Sequence, residues 1–131
     1  MIVTLELLDA VNNEVNKEPY ANELRDDWTP IDSKKNFQGD DCDSYATAKL
    51  QKLHELGVPL SEMRLATCQV EVRKLVWIDH AVLLVEVDGK TVVLGNPIPG
   101  QPDSLKVTPY DLLPYKWIKL QIAGTPNFEF V

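Results

Sequence analysis

The chain has 131 residues, 44% of them hydrophobic and 25% charged, with a formal net charge of -7. Those values suit one folded domain spanning residues 1–131 and exclude a disordered or low-complexity chain. The acidic balance also disfavours a nucleic-acid partner, whose phosphates it would repel.

The first residues, Met1-Ile2-Val3-Thr4-Leu5-Glu6, show no basic stretch leading into a long apolar run, and no apolar stretch approaches membrane-spanning length. The expectation is a cytoplasmic protein without membrane insertion. Two cysteines, Cys42 and Cys68, are too few for a disulfide scaffold and fit a reducing compartment.

Leu5, Leu8, Val11 and Val15 recur at three- and four-residue intervals and predict a helix over residues 5–18, ended by Pro19. Residues 20–41 are irregular and read as a long loop packed by Trp28 and Phe37. Residues 42–56 predict a second helix, with Ala46, Lys49, Leu50, Leu53 and Leu56 on one side and Gly57 and Pro59 as its stop. Asp40 or Asp41 can cap its start.

Beyond Pro59 the pattern changes to β. Residues 64–72 alternate, residues 76–87 are rich in Val, Leu and Ile, and Asp88-Gly89 predicts a hairpin turn into residues 91–94. A proline-punctuated loop, a helical turn over residues 110–113 and a strand over residues 115–122 complete the chain. One helix packed on an antiparallel sheet is an α+β architecture.

Cys42 opens the second helix, where unpaired N–H groups and the positive end of the macrodipole favour a thiolate and can line an oxyanion hole. Asp40, Asp41 and Asp43 act the other way, because neighbouring negative charge raises a thiol pKa, so a reactive Cys42 needs a cationic partner. His80, set in the apolar run Trp77-Ile78-Asp79-His80-Ala81-Val82-Leu83-Leu84, is the candidate. On residue types alone a histidine in a strand is more often structural than catalytic. Cys42, His54, Cys68 and His80 lack metal-ligand spacing, and Cys68 reads as core filling.

The segment Gly39-Asp40-Asp41-Cys42-Asp43-Ser44-Tyr45-Ala46, with Leu56-Gly57-Val58-Pro59 after it, resembles the nucleophile motif of bacterial transglutaminase-like cysteine proteinases. Asp27-Trp28-Thr29-Pro30 resembles that family's approach to the cysteine. Met63-Arg64-Leu65 and Asp79-His80-Ala81-Val82-Leu83 resemble its next strand and its histidine strand. The likeness runs in consistent order over about residues 20–120. It implies a papain-like or transglutaminase-like fold, with the helix bearing Cys42 packed on an antiparallel sheet. It also implies amide cleavage in a peptide or protein substrate, Cys42 as nucleophile and His80 as general base. The short length and the absence of an export signal suggest a cytoplasmic or phage-encoded relative, acting in the host cytoplasm if phage-encoded.

The family's third residue is an aspartate in Val-Leu-Asp-Asn that orients the histidine, whereas this chain reads Val93-Leu94-Gly95-Asn96. Asn96 can take the role through its amide oxygen, provided a bulge at Gly95 turns it to the right face. Otherwise the chain keeps a Cys-His dyad, or has lost catalysis and retains the fold as a binding module, such as a phage protein gripping a host partner. No cofactor is expected. Asp41 and Asp43 offer a calcium possibility, weakened by Ser44 in place of a second acidic residue, and helix capping explains them more simply. Trp28, just ahead of the cysteine, is a candidate wall of the substrate cleft.

Overall fold

The β-rich run over residues 63–87 produces the two long strands at the middle of the sheet, β1 (Met63–Arg73) and β2 (Val76–Val87). The structure is a computed structural model that describes residues 3–17, 41–96, 98 and 101–131, and for residues 41–44, 102 and 103 the backbone alone. Asp88 and Gly89 turn β2 into β3 (Lys90–Leu94) with φ of 51° and 78°, the paired positive values that a two-residue hairpin of matching twist requires. β4 (Val107–Pro109) adds to β3, while β5 (Lys116–Gln121) crosses back to the other side of β1 and pairs with β6 (Phe128–Phe130). The order is β4-β3-β2-β1-β5-β6, antiparallel throughout.

Two helices cover one face. α1 (Leu5–Asn16) starts where the Thr4 hydroxyl accepts from the Leu7 N–H at 3.1 Å. It buries Leu8, Val11 and Val15. α2 (Asp41–Glu55) buries Ala46, Leu50 and Leu53 and closes with Gly57 at φ 102°, the Val58 N–H returning to the Leu53 carbonyl at 2.9 Å. These side chains meet Met63, Leu65, Ala81, Leu83, Val85, Val92 and Leu94 from the sheet. Each fully buried leucine contributes about 1.5–3 kcal/mol through removal of apolar surface from water.

The other face carries Ala66, Val82, Leu84 and Val93 under Tyr110, Leu113, Trp117 and Leu120. Cys68, Val70 and Ile98 lie beside them with Tyr115. This face is covered by partly buried aromatics from β5 and the 3-10 turn before it, with no α-helix among the described residues.

The expected helices and long strands are present with small boundary changes, α1 ending at Asn16 and α2 starting at Asp41. Two helices, not one, pack on the sheet. Leu56 does not belong to the apolar stripe: it lies just past the last helical residue and is 42% exposed. β4 and β6, three residues each, are additions. Among the described residues no helix is long and apolar enough to cross a membrane. Pro19, the loop over residues 20–40 and Trp28 lie outside the described residues.

Candidate active site

Cys42 is the second residue of α2, within the first turn, where four backbone N–H groups have no intrahelical acceptor. That position supplies the positive helix end required to favour a thiolate. α2 packs against β2, the strand that carries His80.

His80 is buried, 3% exposed, and its Cα lies opposite that of Cys68 on β1. Its ring meets Tyr115 edge-on, with centroids 6.0 Å apart and planes at 84°. Ala81 and Leu83 belong to the cluster under the helices and Val82 and Leu84 to the opposite one, so alternation sets His80 on the side of Cys68 and Tyr115. The structure therefore gathers His80, Cys68 and Tyr115 on one face, with α2 packed on the other.

Tyr115 and its neighbour Tyr110, stacked on Trp117 at 4.6 Å, hold their hydroxyl protons more tightly than free tyrosine. Burial is the main cause at both. Asp111 and then Cys68 add to it at Tyr110, and Cys68 adds to it at Tyr115.

Gly95 has a structural reason to be glycine. A Cβ there would sit 1.8 Å from the Ser104 carbonyl oxygen and 2.8 Å from that of Lys106. The Gly95 N–H donates to the same Lys106 carbonyl at 3.1 Å, so the returning chain lies directly against position 95. An aspartate cannot occupy it without moving backbone.

Asn96 is fully buried. Its Nδ2 donates to the Ala81 carbonyl at 2.6 Å, and its Oδ1 accepts from Lys49 Nζ. Lys49, also at 0% exposure, donates to the Gly95 carbonyl at 2.9 Å as well, and Asn16 Nδ2 donates to that same carbonyl at 2.9 Å. Sequence reasoning counted Lys49 in an apolar stripe. The missed signal was its charge: a lysine between Ala46 and Leu53 on a buried helix face must find acceptors, because burying a bare ammonium is costly.

Asp41 and Asp43 are two residues apart in one turn of α2, which sets the two positions about 200° apart around the helix axis. Among the described residues no group of three His, Cys, Asp or Glu side chains converges as a metal site would require.

From residue 3 to residue 128 the chain matches the sequence pattern of the bacterial transglutaminase-like cysteine proteinases. The chain belongs to that family. Calcium-bound LapG of Legionella pneumophila has a similar structure, with a TM-score of 0.62 over 98% of this chain and 70% of that chain, at 19% sequence identity. At that identity the likeness speaks for the fold, and the expected α+β, papain-like architecture holds. No curated protein sequence matches the chain. Glycine at position 95 fits this chain's own packing against the 104–106 segment.

Proposed function

We propose that this family member hydrolyses amide bonds in a peptide or protein substrate, with Cys42 as nucleophile and His80 as general base. What supports the reading is the chain's membership of this proteinase family together with the place of Cys42 in the first turn of α2. The Cys42 sulfur, its proton passed to the His80 imidazole, attacks the amide carbon, and the carbonyl π electrons move to oxygen. Backbone N–H groups at the start of α2 stabilise that oxyanion. The C–N bond then breaks as the imidazolium returns its proton to the departing amine, leaving a thioester on Cys42. Water, deprotonated by His80, attacks the thioester carbon and releases the carboxylate and the thiol. An amine in place of water gives acyl transfer through the same thioester.

Asn96 does not stand where a histidine-orienting aspartate would: it packs toward α2, on the opposite side of the sheet from His80. Its carboxamide donates to the carbonyl of Ala81, the residue that follows His80. The acidic residues around Cys42 act as charges suited to a helix N-terminus.

The test is cleavage itself. Wild type and Cys42→Ala are incubated with a mixture of unfolded proteins, and new N-termini are labelled and identified by mass spectrometry. The expected result is a set of termini produced by wild type and absent with Cys42→Ala.

A binding module with a silent site is the second reading. Two observations favour it: position 95 has no room for an orienting carboxylate, and His80 packs with Tyr115 on the face away from α2. Identical termini from wild type and Cys42→Ala would support this reading.

A further inference from the structure

We infer that Lys49 is a positioning residue that locks the nucleophile helix to the histidine strand through Asn96, an inference that rests on the Cys42–His80 reading. Three observations converge on it. Lys49 lies seven residues after Cys42, two turns along α2, so positions 42 and 49 share one side of the helix. It is one of the largest fully buried side chains of the protein, and its ammonium donates to the Gly95 carbonyl at 2.9 Å and to Asn96 Oδ1. Asn96, buried as well, passes the constraint on by donating from Nδ2 to the Ala81 carbonyl at 2.6 Å.

The chain of contacts runs from the helix of the nucleophile, through a cation and a carboxamide, to the carbonyl of Ala81, the residue after His80. Apolar packing between α2 and β2 is non-directional and tolerates sliding. Hydrogen bonds from a charged donor are directional and roughly twice as strong as neutral ones, so this contact sets the register of helix against strand. A methionine would fill the same space without that directionality. The arrangement also accounts for what stands after β3: Gly95 offers only its carbonyl and Asn96 only its amide, and Lys49 uses both. Asn16 of α1 donates to the Gly95 carbonyl from the other side, tying the first helix into the same point.

The experiment is the pH dependence of Cys42 alkylation by iodoacetamide, read by mass spectrometry in a Cys68→Ser background. Variants are Lys49→Met and Asn96→Asp, each also combined with His80→Ala. Folding at the assay temperature is checked by circular dichroism. Asn96→Asp keeps an acceptor for Lys49 and removes the donor to Ala81, so it breaks the second link alone. The expected result is that both variants lose low-pH reactivity by about ten-fold, the equivalent of one pH unit. Neither should lower it further once His80 is alanine, because the effect acts through the pair.

Profiles that superimpose on a wild type with low-pH reactivity, accompanied only by a lower melting temperature, overturn the inference and leave the Cys42–His80 reading intact. If Lys49→Met does not fold, Asn96→Asp decides on the same criterion. A wild type without low-pH reactivity overturns both.

Discussion

The two faces of the sheet are built from the same strands and behave as different materials. Under α1 and α2, aliphatic side chains from alternate positions of β1, β2 and β3 are sealed from solvent, with Leu65, Leu83 and Leu94 all at 0% exposure. The opposite face is finished by half-buried Tyr110, Tyr115 and Trp117, and it contains His80 and Cys68. The difference teaches where polar groups can be held. On the helix face a charged residue survives only as Lys49 does, with acceptors supplied by the chain end after β3. On the aromatic face a titratable ring rests against another ring's edge.

The sharpest way to break this comparison is to put an aspartate at position 95. Gly95→Asp should destabilise the fold by more than about 3 kcal/mol in urea unfolding, since its Cβ collides with fixed backbone and a charge is added to a buried site. A Gly95→Asp protein as stable as wild type would show that the 104–106 segment is not fixed against position 95.

Next in size, the two faces should differ in their response to cavities. Leu83→Ala, beneath the helices, should cost about 2–5 kcal/mol, and half-buried Leu120→Ala on the aromatic face about 1 kcal/mol, by the same unfolding measurement. Equal losses would erase the distinction.

A smaller effect is expected in alkali. Burial keeps the Tyr110 and Tyr115 protons in place beyond the ordinary tyrosine value of 10.0. A pKa raised on folding means the native state holds the proton more tightly, so this stability is complete below pH 10 and lost as pH climbs through the folded value. Melting temperature measured above pH 10 should fall less steeply in Tyr115→Phe than in wild type.

The smallest effect concerns calcium. Melting temperatures in EDTA and in millimolar calcium test the possibility at Asp41 and Asp43: coincident values would leave the two residues as charges at a helix N-terminus, and a rise in calcium would put an ion there. A site filled at a hundred times its dissociation constant would add about 2.7 kcal/mol, a rise of several degrees.

How much of this was readable in advance differs from element to element. α1, α2 and the β1–β2–β3 meander were legible because their periods of 3.6 and 2 run through enough residues to stand out, and Asp88-Gly89 marks its turn by chemistry alone. β4 and β6 were not, since three residues carry no period and their pairing depends on β3 and β5 being in place. Cys42 and His80 were singled out by motif order. The contact between Lys49, Asn96 and Ala81 was hidden because its parts, from positions 49, 81 and 96, meet only after the sheet forms. Alternation was informative about Asn96, which packs toward α2, on the opposite side from His80.

The central claim is that Cys42 and His80 act as one chemical unit, and iodoacetamide tests it most directly. The rate of Cys42 alkylation is measured from pH 4 to pH 10, with Cys68 replaced by Ser, in the presence of His80 and in His80→Ala. A working pair predicts reactivity extending well below the ordinary thiol value of about 8.5, lost when His80 becomes alanine. Two superimposable profiles, both rising near that ordinary value, would contradict it.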